Sequence, residues 1–294
     1  MSNMAIEVTC VQQANAHLGE GPVWHPQEGR LYWADVTRPC IYAFEPDVGQ
    51  VGIWPMPSEV GFLVPRDGGG VVAGLRDEGI VAVDATYGRL TPIVQPAIGK
   101  PPGRFNDART DPMGRLWTGW LTDSRLMPGT LYRIDKDLSV NPMLDDVFAS
   151  NGMGWSPDGT TFYYTDSHIG TIWAFDFNMD DGELGDRRCF FRTSVQGETP
   201  DGMQIDSEGN VWTVIYNGGR IVRLDPDGNV LAEIPLPVRL TTSAAFGGEG
   251  LATLFVTTAI RQQSAILLDG QPDAGGLFAL RPGVAGRGDT LLRL

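Results

Sequence analysis

The sequence predicts an all-β fold, a six-bladed β-propeller, from three observations. A short turn-and-strand phrase returns six times, a second strand follows each copy, and no stretch shows sustained helical periodicity. Strand-containing repeats of roughly 40–50 residues are typical of propellers. The six copies account for nearly all of the 294 residues, so we expect residues 1–294 to form a single domain.

Each copy joins turn residues to a run of aromatic or β-branched residues. In the fourth copy, Ser156-Pro157-Asp158-Gly159 provides the turn and Thr161-Phe162-Tyr163-Tyr164-Thr165 the strand. Pro, Asp and Gly favour turns, whereas aromatic and β-branched side chains fit a pleated, half-buried surface. The apolar anchor positions of the six copies are Leu31, Val71, Leu116, Phe162, Val211 and Leu254.

A partner strand follows each anchor strand after a short turn. The predicted partners are Ile41–Phe44, Ile80–Val83, Leu131–Ile134, Ile172–Phe175, Ile221–Leu224 and Leu277–Leu280. We also expect a strand at each end of the chain, at Ala5–Val11 and at Thr290–Leu294. If both ends join one blade they close the ring, which removes exposed strand edges. A pair of β-sandwiches is the alternative fold, but it needs a linker that the sequence does not contain.

Composition excludes several function classes. The net charge of −14 argues against nucleic acid as a partner, because phosphate binding needs a basic surface. No run approaches the roughly 18 apolar residues of a membrane span, and the N-terminus lacks the features of a signal peptide. Cys10, Cys40 and Cys189 form no paired motif, as expected of isolated thiols in a reducing cytoplasm. We therefore expect a cytoplasmic protein without a membrane partner; oligomeric state has no signature here.

Four loops carry a carboxylate or carboxamide at similar distances before the turns of their blades. They are Gly19-Glu20-Gly21-Pro22, Arg104-Phe105-Asn106-Asp107, Ser150-Asn151-Gly152 and Pro200-Asp201-Gly202. Loops that enter the innermost strands of a propeller meet at its central channel, so we expect these side chains to converge. Two carboxylates and two carboxamides make an oxygen-donor site for a hard divalent cation. Each loop taken alone could instead be a capped turn.

These motifs, in this order, resemble those of the SMP-30/gluconolactonase family, six-bladed propellers that hydrolyse sugar lactones. The resemblance extends to Ala244–Gly248 and Gly275–Phe278, and so spans nearly the whole chain. It implies metal ligation by Glu20, Asn151 and Asp201. It further implies substrate or water-mediated metal contact by Asn106, and contact of Arg104 with substrate hydroxyls.

One departure from the family pattern concerns substrate contact. Some members carry a glutamate-containing run after the inner strand of the third blade, where this chain has Trp120-Leu121-Thr122-Asp123-Ser124. Asp123 is the residue that replaces the glutamate as a substrate contact, unless that contact is lost.

The resemblance predicts a metal-dependent sugar lactonase that converts an aldonolactone, of gluconolactone, xylonolactone or arabinolactone type, to the aldonic acid. Asp201 would accept a proton from the attacking water. The cofactor would be one divalent cation, namely calcium, zinc, magnesium, manganese or iron(II). Two alternatives stay open: an organophosphate or ester hydrolase with Asp201 as nucleophile, and a non-catalytic calcium-binding regulator. Arg104 favours the lactonase, because a calcium buffer needs no hydroxyl-binding donor.

Other residues carry weaker signals. His17, His25 and His168 lack metal-ligand spacing and are expected at the surface or in loops. Phe62, Trp120 and Tyr216 flank inner strands, where they either line a sugar pocket or fill the space between blades.

Overall fold

The computed structural model describes residues 6–95, 101–124 and 126–293. It contains six four-stranded antiparallel sheets, and the innermost strand of each sheet packs against those of the two neighbouring sheets. The sheets thus form a ring, which confirms the predicted six-bladed β-propeller. None of the helices within these ranges is long and apolar enough to cross a lipid bilayer. The cytoplasmic location and the single-domain assignment stay predictions.

We number the blades along the chain, each from its innermost strand outward. The first strand, β1 (Val8–Gln12), belongs to the last blade. Blade 1 contains β2 (Gly19–His25), β3 (Arg30–Asp35), β4 (Cys40–Glu45) and β5 (Gly49–Pro55). Blade 2 contains β6 (Val60–Pro65), β7 (Val71–Leu75), β8 (Gly79–Val83) and β9 (Leu90–Val94). Blade 3 contains β10 (Gly103–Thr110), β11 (Leu116–Thr122), β12 (Gly129–Ile134) and β13 (Val140–Val147).

The second half of the chain repeats this arrangement. Blade 4 contains β14 (Ser150–Trp155), β15 (Thr161–Asp166), β16 (Thr171–Phe177) and β17 (Leu184–Arg192). Blade 5 contains β18 (Thr199–Ile205), β19 (Val211–Tyr216), β20 (Arg220–Leu224) and β21 (Val230–Pro235). Blade 6 contains β22 (Thr241–Gly247), β23 (Thr253–Thr258) and β24 (Leu277–Leu280). The helices are the α-helix α1 (Ala265–Asp269) and two short 3₁₀ turns, Ser167–Ile169 and Glu249–Leu251.

The two chain ends behave differently from each other. β1 pairs antiparallel with β24 and supplies the fourth strand of blade 6; Ala5 lies outside the described residues. The C-terminal strand expected at Thr290–Leu294 is not seen among the described residues 290–293. Leu292 instead makes a single parallel bridge to Arg66 of blade 2 and is fully buried there. Ring closure in the structure therefore comes from the N-terminal strand.

The repeated strands that are most conspicuous in the sequence are not the innermost ones. Each anchor strand is the second strand of its blade, and the polar, glycine-rich stretch expected as a loop is the innermost strand itself. Gly, Asn, Asp and Pro are poor strand formers, so this stretch looks like a loop in the sequence. It forms a strand because neighbouring inner strands and the second strand bury it on several sides.

Glycines permit the close approach of inner strands from adjacent blades. A Cβ atom added at Gly61 of β6 would lie 2.0 Å from the carbonyl oxygen of Phe105 in β10. One added at Gly152 of β14 would lie 2.5 Å from the carbonyl oxygen of Asp201 in β18. Real Cβ atoms do not approach this closely, so larger residues at these positions would separate the blades.

Apolar side chains fill the space between blades away from the axis. Between blades 2 and 3, Phe105 makes edge-on contacts with Phe62 and Trp120, with ring centroids 5.7 and 5.2 Å apart. Phe62 is fully buried, which supports the packing interpretation for it rather than a pocket-lining one. His25 is also fully buried, contrary to expectation, and one of its ring nitrogens contacts the carbonyl oxygen of Arg66 at 2.8 Å.

Gly61→Ala tests the close packing around the axis. We expect it to lower the free energy of unfolding by about 1–3 kcal/mol, because an added methyl group in a tight interior displaces its surroundings. Urea unfolding measures the change. Gly270→Ala is the matched control, since its added Cβ would meet its nearest neighbour at 3.9 Å and should change stability by about 0.5 kcal/mol or less. Equal unfolding midpoints for the two variants would contradict this account of the inner strands.

Candidate active site

The inner strands surround a cavity of about 420 Å³ at the end of the ring axis where these strands begin. Five residues of the four sequence motifs line it: Glu20 from blade 1, Arg104 and Asn106 from blade 3, Asn151 from blade 4 and Asp201 from blade 5. Each lies within the first four residues of its inner strand. The structure therefore brings together in one cavity residues separated by up to 181 positions in the chain.

β-Bulges aim these side chains at the cavity. The register of every inner strand shifts against its second strand: between Glu20 and Val23, Val60 and Phe62, Asn106 and Ala108, Ser150 and Met153, Pro200 and Met203, and Thr241 and Ser243. A bulge bends the strand and changes the direction of its side chains. Four of these six bulges carry or adjoin the polar residues identified in the sequence motifs.

Two buried aspartates hold the strand entries of blades 1 and 4. Asp35, at the end of β3, accepts hydrogen bonds from the backbone N–H groups of His17 and Leu18 at 2.7 and 3.1 Å. Asp166, at the end of β15, accepts from the backbone N–H groups of Phe148 and Ala149 at 3.1 and 3.0 Å. These contacts end two residues before Glu20 and Asn151, respectively. They satisfy buried N–H groups and hold the backbone in place just before Glu20 and Asn151.

An amide network orders the floor of the cavity. Asn106 donates from Nδ2 to Oδ1 of Asn151 at 2.7 Å and also to the carbonyl oxygen of Ser150. Asn151 donates from Nδ2 to Oγ of Ser167 at 2.8 Å, and that hydroxyl donates to the carbonyl oxygen of Pro200 at 2.6 Å. In this arrangement Oδ1 of Asn151 still has acceptor capacity, because a carbonyl oxygen has two lone pairs.

Arg104 is held by acceptors on its own strand and by a carboxylate of blade 2. Its Nη1 donates to Oδ1 of Asn106 and to the carbonyl oxygen of Phe105, at 2.5 and 2.9 Å. Its Nε lies 4.0 Å from Glu59, which also pairs with Arg76 at 3.0 Å. Glu59 is thus an acidic partner of Arg104.

Asp123 lies outside the residues that line the cavity. Its carboxylate is about half exposed and pairs with Nη2 of Arg76 at 2.5 Å. Through Arg76 it is linked to Glu59, and through Glu59 to Arg104. In this structure Asp123 belongs to the ion-pair network behind Arg104.

The carboxylates of the cavity are electrostatically unfavourable as anions. Burial, followed by the charge of Asp107, raises the pKa of Glu20 to about 8. Burial and the charges of Glu20 and Asp107 hold the pKa of Asp201 well above its usual range. Burial also raises the pKa of Asp107, whose backbone has a positive φ of 55°. Oδ1 of Asp201 is buried and has no hydrogen-bond partner among the described residues.

These features fit a bound cation. The buried carboxylate of Asp201 with its unpartnered oxygen, the partly buried carboxylate of Glu20 and the carboxamide oxygen of Asn151 are donors that a hard divalent cation prefers. A positive charge between Glu20 and Asp201 would remove their mutual repulsion. Within the described ranges, no group of three or more His, Cys, Asp or Glu side chains is placed to hold a metal ion, so a cation here would take its third protein donor from the carboxamide of Asn151.

Tyr216, the last residue of β19, lines the cavity, which supports the pocket-lining interpretation for it. His168 also lines the cavity and is exposed, in keeping with the surface position expected for it. Three further cavity residues carry no motif and escaped the sequence analysis. Ser167 directly follows Asp166, the last residue of β15. Arg261 and Gln262 follow β23. Their position in the chain was the available signal, because each of the three follows shortly after the second strand of its blade. That strand ends where the inner strand begins, and therefore at the cavity.

The chain is similar to known proteins over nearly its whole length. Residues 18–260 match the model of the SMP-30/gluconolactonase/LRE-like region. The chain is 39% identical to a 6-deoxy-6-sulfogluconolactonase of Pseudomonas putida, covering 96% of this chain and 97% of that protein. It is 35% identical to a regucalcin of Oryctolagus cuniculus, covering 94% of each chain.

A solved structure adds to this likeness. A calcium-binding protein, regucalcin, from Agrobacterium tumefaciens superposes with a TM-score of 0.90 at 26% identity, covering 99% of both chains.

Asp166→Ala tests the support of the Asn151 strand. We expect the free energy of unfolding to fall by about 1–3 kcal/mol, because the buried N–H groups of Phe148 and Ala149 lose their acceptor. Urea unfolding measures this loss. The matched control is Asp137→Ala, which removes an exposed turn aspartate that accepts from the backbone N–H of Ser139. If both variants unfold at the same urea concentration, Asp166 does not anchor the strand.

Proposed function

We propose that this chain, which belongs to the SMP-30/gluconolactonase/LRE-like family, is a sugar lactonase that hydrolyses an aldonolactone to its aldonic acid. The convergence of Glu20, Asn151 and Asp201 with Arg104 and Asn106 on one cavity is the observation that carries the proposal. It combines oxygen donors for a cation with hydrogen-bond donors for a polyhydroxylated substrate.

Glu20, Asn151 and Asp201 would hold the divalent cation. When bound, the cation supplies Lewis-acid polarisation of a carbonyl oxygen and stabilises the negative charge that develops on it. The donors are all oxygen, which favours calcium, magnesium or manganese over zinc or iron(II). The solved relative described as a calcium-binding protein supports calcium as the first cation to test.

The side chains around the donors have separate tasks in the proposed reaction. Asp201 accepts the proton of the water that attacks the lactone carbonyl, for which it has an oxygen without a hydrogen-bond partner in the described residues. The guanidinium of Arg104 donates hydrogen bonds to substrate hydroxyls, because a cationic group cannot serve as a metal ligand. Asn106 holds the amide of Asn151 in place and contacts the substrate or a water between it and the cation.

A calcium-binding regulator without catalysis is the second candidate, favoured by the relatives named regucalcin. Such a regulator would use the same oxygen donors, but it would not need the hydrogen-bond donors of Arg104 at the cavity. An organophosphate or ester hydrolase would use the same donors and Asp201 as nucleophile. A panel of lactones and esters, assayed with and without chelator, separates the three.

Asp201→Asn tests the role of the carboxylate. We expect kcat/KM for gluconolactone to fall by about 100-fold or more, because the proton acceptor is lost. We also expect calcium to raise the Tm of the wild type and to have a much smaller effect on this variant, since a ligand stabilises the state that binds it. Stopped assays and thermal unfolding measure the two effects.

Asp158→Asn, in an exposed turn away from the cavity, is the control and should match the wild type in both assays. Wild-type turnover that survives complete chelation would contradict the metal dependence. Calcium-dependent stabilisation without hydrolysis of any lactone would favour the regulator.

Arg104→Ala separates substrate binding from cation binding. We expect the calcium-induced rise in Tm to stay, and kcat/KM for polyhydroxylated lactones to fall about tenfold to a hundredfold with the loss of a charged donor. A lactone without hydroxyl groups should be affected much less. Equal losses on both substrates would indicate that Arg104 only steadies its strand.

Asp123→Asn is the companion variant, because Asp123 stands where some family members have a substrate-contacting glutamate, whereas the structure pairs it with Arg76. If Asp123 acts only through this partly exposed pair, kcat/KM should stay within about twofold of the wild type. A loss as large as that of Arg104→Ala would place Asp123 at the substrate.

A further inference from the structure

Arg261 brings a second guanidinium to the cavity, opposite Arg104. It follows β23 of blade 6, whereas Arg104 belongs to blade 3, and these two blades face each other across a ring of six. Blades 1 and 5, which carry Glu20 and Asp201, adjoin blade 6 on either side. Arg261 is half-buried, while its neighbours Gln262 and His168 are exposed at the rim.

The backbone holds Arg261 in this position. Its N–H donates to the carbonyl oxygen of His17 at 3.0 Å, and the N–H of Ile260 donates to the carbonyl oxygen of Ala16 at 3.2 Å. Gln262 adopts a positive φ of 57°, and Gln263 donates from its side chain to the carbonyl oxygen of Ala259 at 3.1 Å. A non-glycine residue in the left-handed region persists only where its surroundings require it. The segment is thus fixed to blade 1 rather than suspended over the cavity.

The positive charges of Arg261 and Arg104 differ in how nearby carboxylates balance them. Arg104 lies beside Glu59, which is part of an ion-pair network with Arg76 and Asp123. In the parts of the chain that the structure describes, the guanidinium of Arg261 has no ion pair or hydrogen bond. The carboxylates that attract it are Glu20 and Asp201. Once a cation neutralises those two, the Arg261 side of the cavity keeps a surplus positive charge.

We propose that Arg261 binds an anionic substituent of the lactone, such as a sulfonate, phosphate or carboxylate group. The inference rests on the proposed lactonase function and extends it to the substrate class. A guanidinium presents several N–H donors in one plane and matches the oxygens of such groups. Arg104 would then contact the hydroxyls on one side while Arg261 contacts the anionic substituent on the other.

The competing role for Arg261 is that of a fixed counter-charge for Glu20 and Asp201. In that role its removal would weaken cation binding and would slow the hydrolysis of every lactone alike. In the proposed role its removal leaves cation binding unchanged and affects anionic lactones selectively. The two roles therefore make opposite predictions for neutral substrates.

The experiment compares three lactones with the same ring: gluconolactone, which is neutral, 6-phosphogluconolactone and 6-deoxy-6-sulfogluconolactone. We expect Arg261→Gln to lower kcat/KM for the two anionic lactones by about tenfold to a hundredfold and to leave the neutral one within about twofold. Arg261→Lys should recover part of the loss, because it keeps the charge. Raising the salt concentration should reduce the wild-type preference for the anionic lactones, because it screens this attraction. The phosphate and sulfonate arms identify which anion fits better.

Arg38→Gln is the matched control, since Arg38 lies on an exposed turn at the same end of blade 1 and does not line the cavity. It removes one positive charge from the same face and should change none of the three kcat/KM values. Calorimetric titration of calcium into both variants checks that cation binding is intact.

Equal losses on neutral and anionic lactones, or weaker calcium binding by Arg261→Gln, would overturn the proposal in favour of the counter-charge. If the wild type hydrolyses no lactone, the proposed lactonase function is wrong, but the proposed role of Arg261 can still be tested by measuring ligand binding. Calorimetry with 6-phosphogluconate and gluconate then applies: tighter binding of the phosphorylated acid that disappears in Arg261→Gln supports the role of Arg261. Equal binding of the two acids by the wild type would refute it.

Discussion

The close approach of six strands around one axis is the constraint on which this structure depends. Where the backbones of neighbouring blades meet, at Gly61 against Phe105 and at Gly152 against Asp201, a side chain as small as a methyl group has no room. The inner strands therefore contain residues that form strands poorly in isolation, and each one is bulged where it faces the axis. The close packing that requires glycine, together with the bulges, directs the adjacent polar side chains toward the cavity.

The cavity brings several carboxylates together where burial removes much of their hydration. Burial makes the anionic forms of Glu20 and Asp201 unfavourable, and the negative charge of neighbouring carboxylates makes their ionisation still less favourable. A positive charge between them would remove this cost, which is the physical reason for proposing a bound cation. On the other side, the carboxylate of Glu59 balances the charge of Arg104, and Arg76 links Glu59 to Asp123.

The far end of the axis is covered by the C-terminal segment. Arg109, near the end of β10, pairs with Asp289 at 2.8 Å, and Arg287 donates its backbone N–H to the carbonyl oxygen of Ile205 at 3.1 Å. A cavity of only about 60 Å³ is left there. The chain thus uses its first strand to complete blade 6 and its last segment to cover the axis, which leaves the larger cavity at the end where the inner strands begin.

The sequence by itself determined the repeat, the turns and the second strands, because Pro, Gly and aromatic residues impose local conformations wherever they stand. Its motifs also predicted that Glu20, Asn151 and Asp201 converge, since repeated units place such residues at similar depths, and all three line one cavity. Tertiary structure decided what depends on contacts between blades. It made strands of apparent loops, gave Asp123 the partner Arg76, and brought Arg261 to the cavity without a motif. Such contacts join residues far apart in the chain, so no local pattern encodes them.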